Sequence, residues 1–193
     1  MSAIQPRQWQ TQLIQLLRRR LDGKATGEQD VLVFAGPGAG KTLGALLAFR
    51  SMRREQRLQH FLVFCHRTSI LEQWQRAAAR LGLSLVSWPC EPGRLSQADG
   101  LLLTYQSAGR QPQQLAAALR PWPSSSLLAI ADEAHHLGLD PEEPGAAAWS
   151  LSFEEQTSHC RLRLGLTGTP FRADNLGFCA ARRIRTVQNG ELV

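Results

Sequence analysis

The run VLVFAGPGAGKT at residues 31–42 decides the fold. Val31 to Phe34 form a short apolar, β-branched stretch. Gly36, Pro37, Gly38, Ala39, Gly40, Lys41 and Thr42 follow, and Leu43 to Phe49 then carry apolar residues at helical spacing. Strand, glycine loop and helix in that order is the context that turns a glycine-rich string into a phosphate site. Glycines let backbone N–H groups close around phosphate oxygens with no Cβ in the way, and the loop opens onto the positive N-terminus of a helix. In such a loop Lys41 neutralises the β- and γ-phosphates and the Thr42 hydroxyl ligates Mg²⁺. Ala35 stands where the strict pattern has glycine, so the match is to the relaxed form. An ordinary glycine turn is the competing reading, and it leaves Gly-Lys-Thr at this offset unexplained.

Outward from that loop, 193 residues are enough for one ordinary domain with a full core. No apolar run approaches membrane-spanning length, and the first residues lack a charged stretch followed by an apolar one, so a cytoplasmic chain with no membrane partner is expected. Cys65, Cys90, Cys160 and Cys179 are scattered without a C-x-x-C pair and read as reduced thiols. His135 and His136 are adjacent, which should point them different ways and argues against zinc. The net charge of +6 has an uneven source: residues 1–60 hold 10 Lys/Arg against 4 Asp/Glu, and the remainder holds 12 against 12. Such an excess hints at a polyanionic partner, or else at a solvated arginine-rich face.

Taken in order, the chain predicts a helix over 4–21 that begins after Pro6, with arginines at its C-terminal end, then a loop over 22–30. Beyond the glycine loop and its helix come a strand FLVFC (61–65), HRTS, and a helix through Trp74 to Leu81. A strand is expected within Leu83–Trp88, and another at Leu101–Thr104 running into TYQS. A short helix follows over Gln113–Leu119, then a strand LLAIA (127–131) ending on Asp132. The last stretch reads as a loop over 141–145, a helix from Ala146 to Gln156, and a strand Arg161–Leu166 running into TGTP. The tryptophans fit core or edge packing, since none has a partner aromatic at stacking spacing. Continuous apolar strands alternating with helices mark an α/β fold with a mostly parallel sheet covered by helices on both faces. Ligands of such sheets gather at the carboxyl ends of the strands, and GAGKT, HRTS, TYQS, DEAH and TGTP all lie just there.

LLAIADEAH places two carboxylates at a strand tip. Phosphoryl transfer needs little covalent help but much charge neutralisation. Asp132 suits a Mg²⁺ ligand, and Glu133 suits the orientation or deprotonation of an attacking water. Asp-Glu after a strand is a weak signal alone and a strong one downstream of GAGKT.

GPGAGKT, DEAH and TGTP in this order resemble the first RecA-like domain of a superfamily 2 helicase or translocase of the DEAH-box type, in the branch that includes type III restriction motor subunits and DNA repair helicases. CHRTSILEQW, TYQS and GLTGTPFRAD are similar to further segments of that branch, and PRQWQ resembles its Arg-x-x-Gln element. The likeness runs from about Pro6 to Asp174. It implies a RecA-like P-loop NTPase domain that takes ATP and Mg²⁺, with DNA favoured over RNA as partner. Lys41, Asp132 and Glu133 are implied as catalytic, and Arg7 and Gln10 at the adenine. Pro37, Gly38, Ala39, Gly40, Lys41 and Thr42 are implied on the phosphates, with Thr42 and Asp132 on the metal. His135, Thr167 and Thr169 would couple nucleotide state to the strand side, and His66, Arg67, Thr104 and Gln106 would line the nucleic-acid track. Plain strand-end capping is the alternative for Thr104 and Gln106.

The family pairs two RecA-like domains and keeps its transition-state arginine on the second. The expected layout is therefore an ATP-binding domain over 1–181 and, over 182–193, the start of a connection to a second domain in cis or on a separate chain. A truncated, non-catalytic nucleic-acid-binding or regulatory module stays open as an alternative. A P-loop small-molecule kinase shares GAGKT but has no need of DEAH or TGTP.

Overall fold

The computed structural model describes residues 5–23, 29–137, 146–168, 187–188 and 191–192. Helix α1 spans Gln8–Asp22, β1 Asp30–Phe34, α2 Lys41–Arg54, β2 His60–Cys65, α3 Leu71–Arg80 and β3 Leu85–Ser87. Then come α4 Pro92–Leu95, β4 Gly100–Thr104, α5 Tyr105–Arg110, α6 Pro112–Leu119, β5 Leu127–Ala131, α7 Ala146–Thr157 and β6 Leu162–Thr167. A further antiparallel pair, β7 Val187–Gln188 and β8 Glu191–Leu192, falls in the stretch expected to begin a connection. The expected loop over 141–145, Thr169 and most of 182–193 lie outside the described residues.

The first six strands form one sheet in the order β1-β6-β5-β2-β4-β3, and every pairing in it is parallel. Both faces are buried, which is why the strands are apolar without alternation. In β2, Phe61, Val63 and Cys65 pack into a core with α1, α2 and α3, while Leu62 and Phe64 pack into a second core with α5, α6 and α7. Side chains alternate sides along a strand, so one continuous apolar run fills two cores. At the edge, β1 and its neighbour β6 are tied by a buried pair at register neighbours: Arg163 meets Asp30 through Nε–Oδ1 at 2.6 Å and Nη2–Oδ2 at 3.0 Å. Glu154 of α7 takes the third guanidinium nitrogen at 2.6 Å.

Two helices go beyond the sequence expectation. TYQS opens α5, because Thr104 and Ser107 cap one another: the Ser107 N–H donates to Thr104 Oγ1 at 3.0 Å and the Thr104 N–H to Ser107 Oγ at 3.1 Å. The other is α4, a single turn with proline at its start. The strand expected within Leu83–Trp88 narrows to three residues, and α1 begins at Gln8.

Candidate active site

Because the main sheet is parallel, the carboxyl ends of its strands share one edge. Along it stand the glycine loop after β1, Thr167 and Gly168 at the end of β6, Asp132 after β5, His66 after β2, and Thr104 at the end of β4. The order follows from register, since Phe34 pairs with Thr167, Ala131 with Gly165, Phe64 with Ala131, and Cys65 with Thr104.

The loop is held from behind by the start of α1. Arg7 Nη1 donates to the carbonyls of Ala39 (2.9 Å) and Gly38 (3.3 Å), Trp9 Nε1 to that of Ala39 (3.2 Å), and Gln10 Nε2 to that of Gly40 (3.1 Å). A trans peptide places each N–H opposite the preceding carbonyl, so the N–H groups of Gly40 and Lys41 face away from α1. Gly38 and Gly40 reach this shape at φ 72° and 82°, in the region open to glycine. A Cβ on Gly36 or Gly38 would meet nothing within 4 Å, so both border open space. Lys41 Nζ donates to the Ala35 carbonyl at 3.1 Å and lies 3.1 Å from where a Cβ of Gly168 would stand. Gly168 therefore makes room for the ammonium. Gln10, expected at the adenine, is 1% exposed, and its Oε1 accepts from the Arg7 N–H at 2.9 Å. In this arrangement its carboxamide serves the loop, and an adenine contact would require it to leave Gly40.

Asp132 is buried among partners. Trp74 Nε1 donates to Oδ2 at 2.7 Å, the Glu133 N–H to Oδ1 at 3.0 Å, and the Tyr105 hydroxyl to the Asp132 carbonyl at 3.0 Å. Burial raises its carboxyl above the usual range, the Trp74 hydrogen bond opposes that, and neighbouring Glu133 adds to it. Burial likewise raises the Tyr105 phenol, helped by the Asp132 charge. Glu133 takes a left-handed backbone, φ 48° and ψ 52°. His135 joins Glu133 to β6, with Nδ1 3.3 Å from Glu133 Oε2 and 3.0 Å from the buried Thr167 hydroxyl. Such a corner has the donor chemistry for a hydrated divalent cation at Thr42 and Asp132, with a cation at Lys41 close enough to act on Asp132.

The four residues expected along a nucleic-acid track divide. Arg67 and Gln106 are exposed. His66 is half-buried and stacks on His136, with ring centroids 3.9 Å apart, while Thr104 is engaged as the α5 cap. His135 and His136 do not point apart as expected: in their 3-10 turn the rings stand 4.2 Å from each other. The tryptophans pack in or against the two cores as expected, but two of them do find ring partners. Trp122 stacks on His60 at 4.4 Å and Trp149 meets His66 at 5.2 Å, partners brought from distant sequence. Trp9, Trp74, Tyr105 and Gly168 are site residues that sequence reasoning missed. Their only signal was membership of the strings PRQWQ, CHRTSILEQW, TYQS and TGTP. Part of the arginine excess is paired off the site: Arg18 with Glu55, Arg57 with Asp22 and Glu55, and Arg53 with Asp99. Cys65, Cys90 and Cys160 are free thiols. Among the described residues no helix is long and apolar enough to cross a membrane.

A family described as "Type III restriction enzyme, res subunit" matches residues 3–172. An uncharacterized protein of Mycobacterium leprae (strain TN) is 31% identical over 153 residues, 78% of this chain and 24% of its own length. The chain thus spans about a quarter of the curated relatives it matches. Among solved structures, the Sulfolobus solfataricus SWI2/SNF2 ATPase core in complex with dsDNA superposes with a TM-score of 0.69 at 21% identity, covering 90% of this chain and 34% of that one. The UvsW helicase from bacteriophage T4 gives 0.60 at 16% identity, covering 87% and 54%. These structural likenesses establish the shared fold.

Proposed function

The chain belongs to the type III restriction enzyme res-subunit family, as a first RecA-like domain of the superfamily 2 helicase type, and from that premise we propose that it is the ATP-binding half of a DNA-dependent motor. In this reading ATP hydrolysis drives movement along DNA or its unwinding, together with a second RecA-like domain in cis or on another chain. One observation carries it: Arg7, Trp9 and Gln10 hold three loop carbonyls back, which turns loop N–H groups and the start of α2 towards the edge where Asp132 and Glu133 stand.

Lys41 would leave the Ala35 carbonyl for the β- and γ-phosphates, and Thr42 and Asp132 would hold Mg²⁺. When bound, that ion supplies charge neutralisation on the phosphate oxygens. Glu133 would accept the proton of the attacking water, and the His135 bridge would link its position to Thr167 and, further along, Thr169. Arg67 and Gln106 would meet sugar and phosphate rather than bases. The domain layout, 1–181 for ATP and 182–193 leading onward, belongs to the same proposal. DNA as the partner draws on the DNA in the SWI2/SNF2 core structure.

The decisive experiment measures ATP hydrolysis with and without DNA, after supplying the second domain. DNA-stimulated turnover is expected, and Glu133→Gln should bind ATP about normally yet turn over at least 100-fold more slowly, the amide being unable to take a proton. Near-normal turnover by Glu133→Gln would remove Glu133 as the base. DNA-independent hydrolysis would defeat the motor reading.

A further inference from the structure

Gln73 and Trp74 are neighbours on α3, and each touches one of the two side chains placed above as cation ligands. The Trp74 indole is fully buried and donates to Asp132 Oδ2 at 2.7 Å. Gln73 is exposed, and its Nε2 stands 3.5 Å from Thr42 Oγ1, at the long limit of a hydrogen bond. A buried tryptophan needs a partner for its N–H, and any carbonyl would serve. Here the partner is a carboxylate at the end of β5, already held at its backbone by Tyr105. A carboxylate oxygen that accepts one N–H retains lone pairs for another ligand but loses rotational freedom. The 3-10 turn Thr68–Ile70 leads directly into α3, and Arg67, Thr68 and Ser69 beside it are exposed.

We propose that Gln73 and Trp74 are positioning residues for the divalent cation: Trp74 fixes the Asp132 carboxylate and Gln73 the Thr42 hydroxyl, so α3 sets the cation affinity of the site. The inference rests on the reading of Thr42 and Asp132 as ligands. In this reading neither side chain is itself a ligand of the cation; each acts through the residue that is. Outer partners of this kind typically govern metal affinity about 10–100-fold, because they fix the orientation of the ligand that does touch the metal. Arg67, proposed for the nucleic-acid track, stands just before the turn that leads into α3, and a displacement of α3 would be felt at both ligands.

The test titrates the chain with a non-hydrolysable ATP analogue by calorimetry, first in EDTA and then at rising Mg²⁺. Trp74 is replaced by 3-(3-benzothienyl)alanine, which keeps the bicyclic shape and puts sulfur where the N–H was. Gln73→Leu is the second variant, at an exposed position that leaves the core intact. The benzothienyl replacement should cut the Mg²⁺-dependent gain in affinity about tenfold or more, with affinity in EDTA unchanged. Gln73→Leu should cut the gain by a smaller factor, about two- to fivefold, as fits a longer, solvated contact. A full Mg²⁺ gain in both variants overturns this inference alone, as does an equal loss in EDTA and Mg²⁺, the mark of a packing residue. A wild-type chain whose affinity ignores Mg²⁺ overturns the ligand assignment and this inference with it.

Discussion

Asp132 and Glu133 are consecutive, yet the backbone treats them in opposite ways. Asp132 is 5% exposed and held at both carboxylate oxygens, whereas Glu133 turns outward through a left-handed conformation that costs a non-glycine residue about 1–3 kcal/mol. The turn is secured by the Glu133 N–H on Asp132 Oδ1 and by the His136 N–H on the Glu133 carbonyl at 3.0 Å. One carboxylate is thereby fixed and the other left beside His135, half-open to solvent. Cys65 is buried close by, and burial and the Asp132 charge push its thiol up. Lys41 brings its ammonium back to the Ala35 carbonyl, at the start of the glycine loop. Lys41→Ala should weaken binding of a fluorescent ATP analogue at least tenfold, about 1.4 kcal/mol. Unchanged affinity would place the phosphates elsewhere.

At the scale of elements, α1 and α2 approach so closely that a Cβ on Gly44 would fall 2.5 Å from Trp9 Cη2. That closeness lets Trp9 reach the Ala39 carbonyl. Gly44→Ala should push the indole aside, destabilise the fold by about 1–3 kcal/mol as overpacking does, and lower nucleotide affinity together with the melting temperature. A thermal melt with and without ATP reads both, and an unshifted melt would show that the contact relaxes freely. The β1–β6 join adds a buried charge pair to its parallel ladder and apolar packing. Asp30→Ala removes the bidentate partner of buried Arg163, leaving Glu154, and should cost about 3–5 kcal/mol in a urea titration. Replacing both partners together, Asp30→Val with Arg163→Met, should recover most of the loss, since it leaves no buried charge behind; Glu154, another partner of Arg163, is half-exposed. Equal losses in the single and double variants would locate the stabilisation in side-chain packing.

For the whole molecule, the parallel sheet gathers separate strings onto one edge and leaves Arg67 and Gln106 exposed there. Contacts to phosphate release counterions, so DNA binding should be weak, nearly indifferent to sequence, and fall linearly in log affinity against log salt. A titration at several salt concentrations checks this, and salt-independent or sequence-selective binding would point to a recognition module. The α/β class, the strands, the glycine loop between β1 and α2 and the place of the acidic pair after β5 were legible from order alone, because a both-faces-buried strand is apolar throughout and a glycine loop between strand and helix is a local pattern. Sequence by itself determined those. Helix α5 was hidden because Ser107 closes a capping box usually closed by an acidic or amide side chain. Only the tertiary structure decided that Gln10 braces the loop, that Trp74 and Tyr105 hold Asp132, that Gly168 admits Lys41, and that His66 stacks on His136. Each of these contacts joins segments distant in the chain, so no local spacing records it; they exist because parallel strands end side by side and a buried N–H or O–H must find a partner.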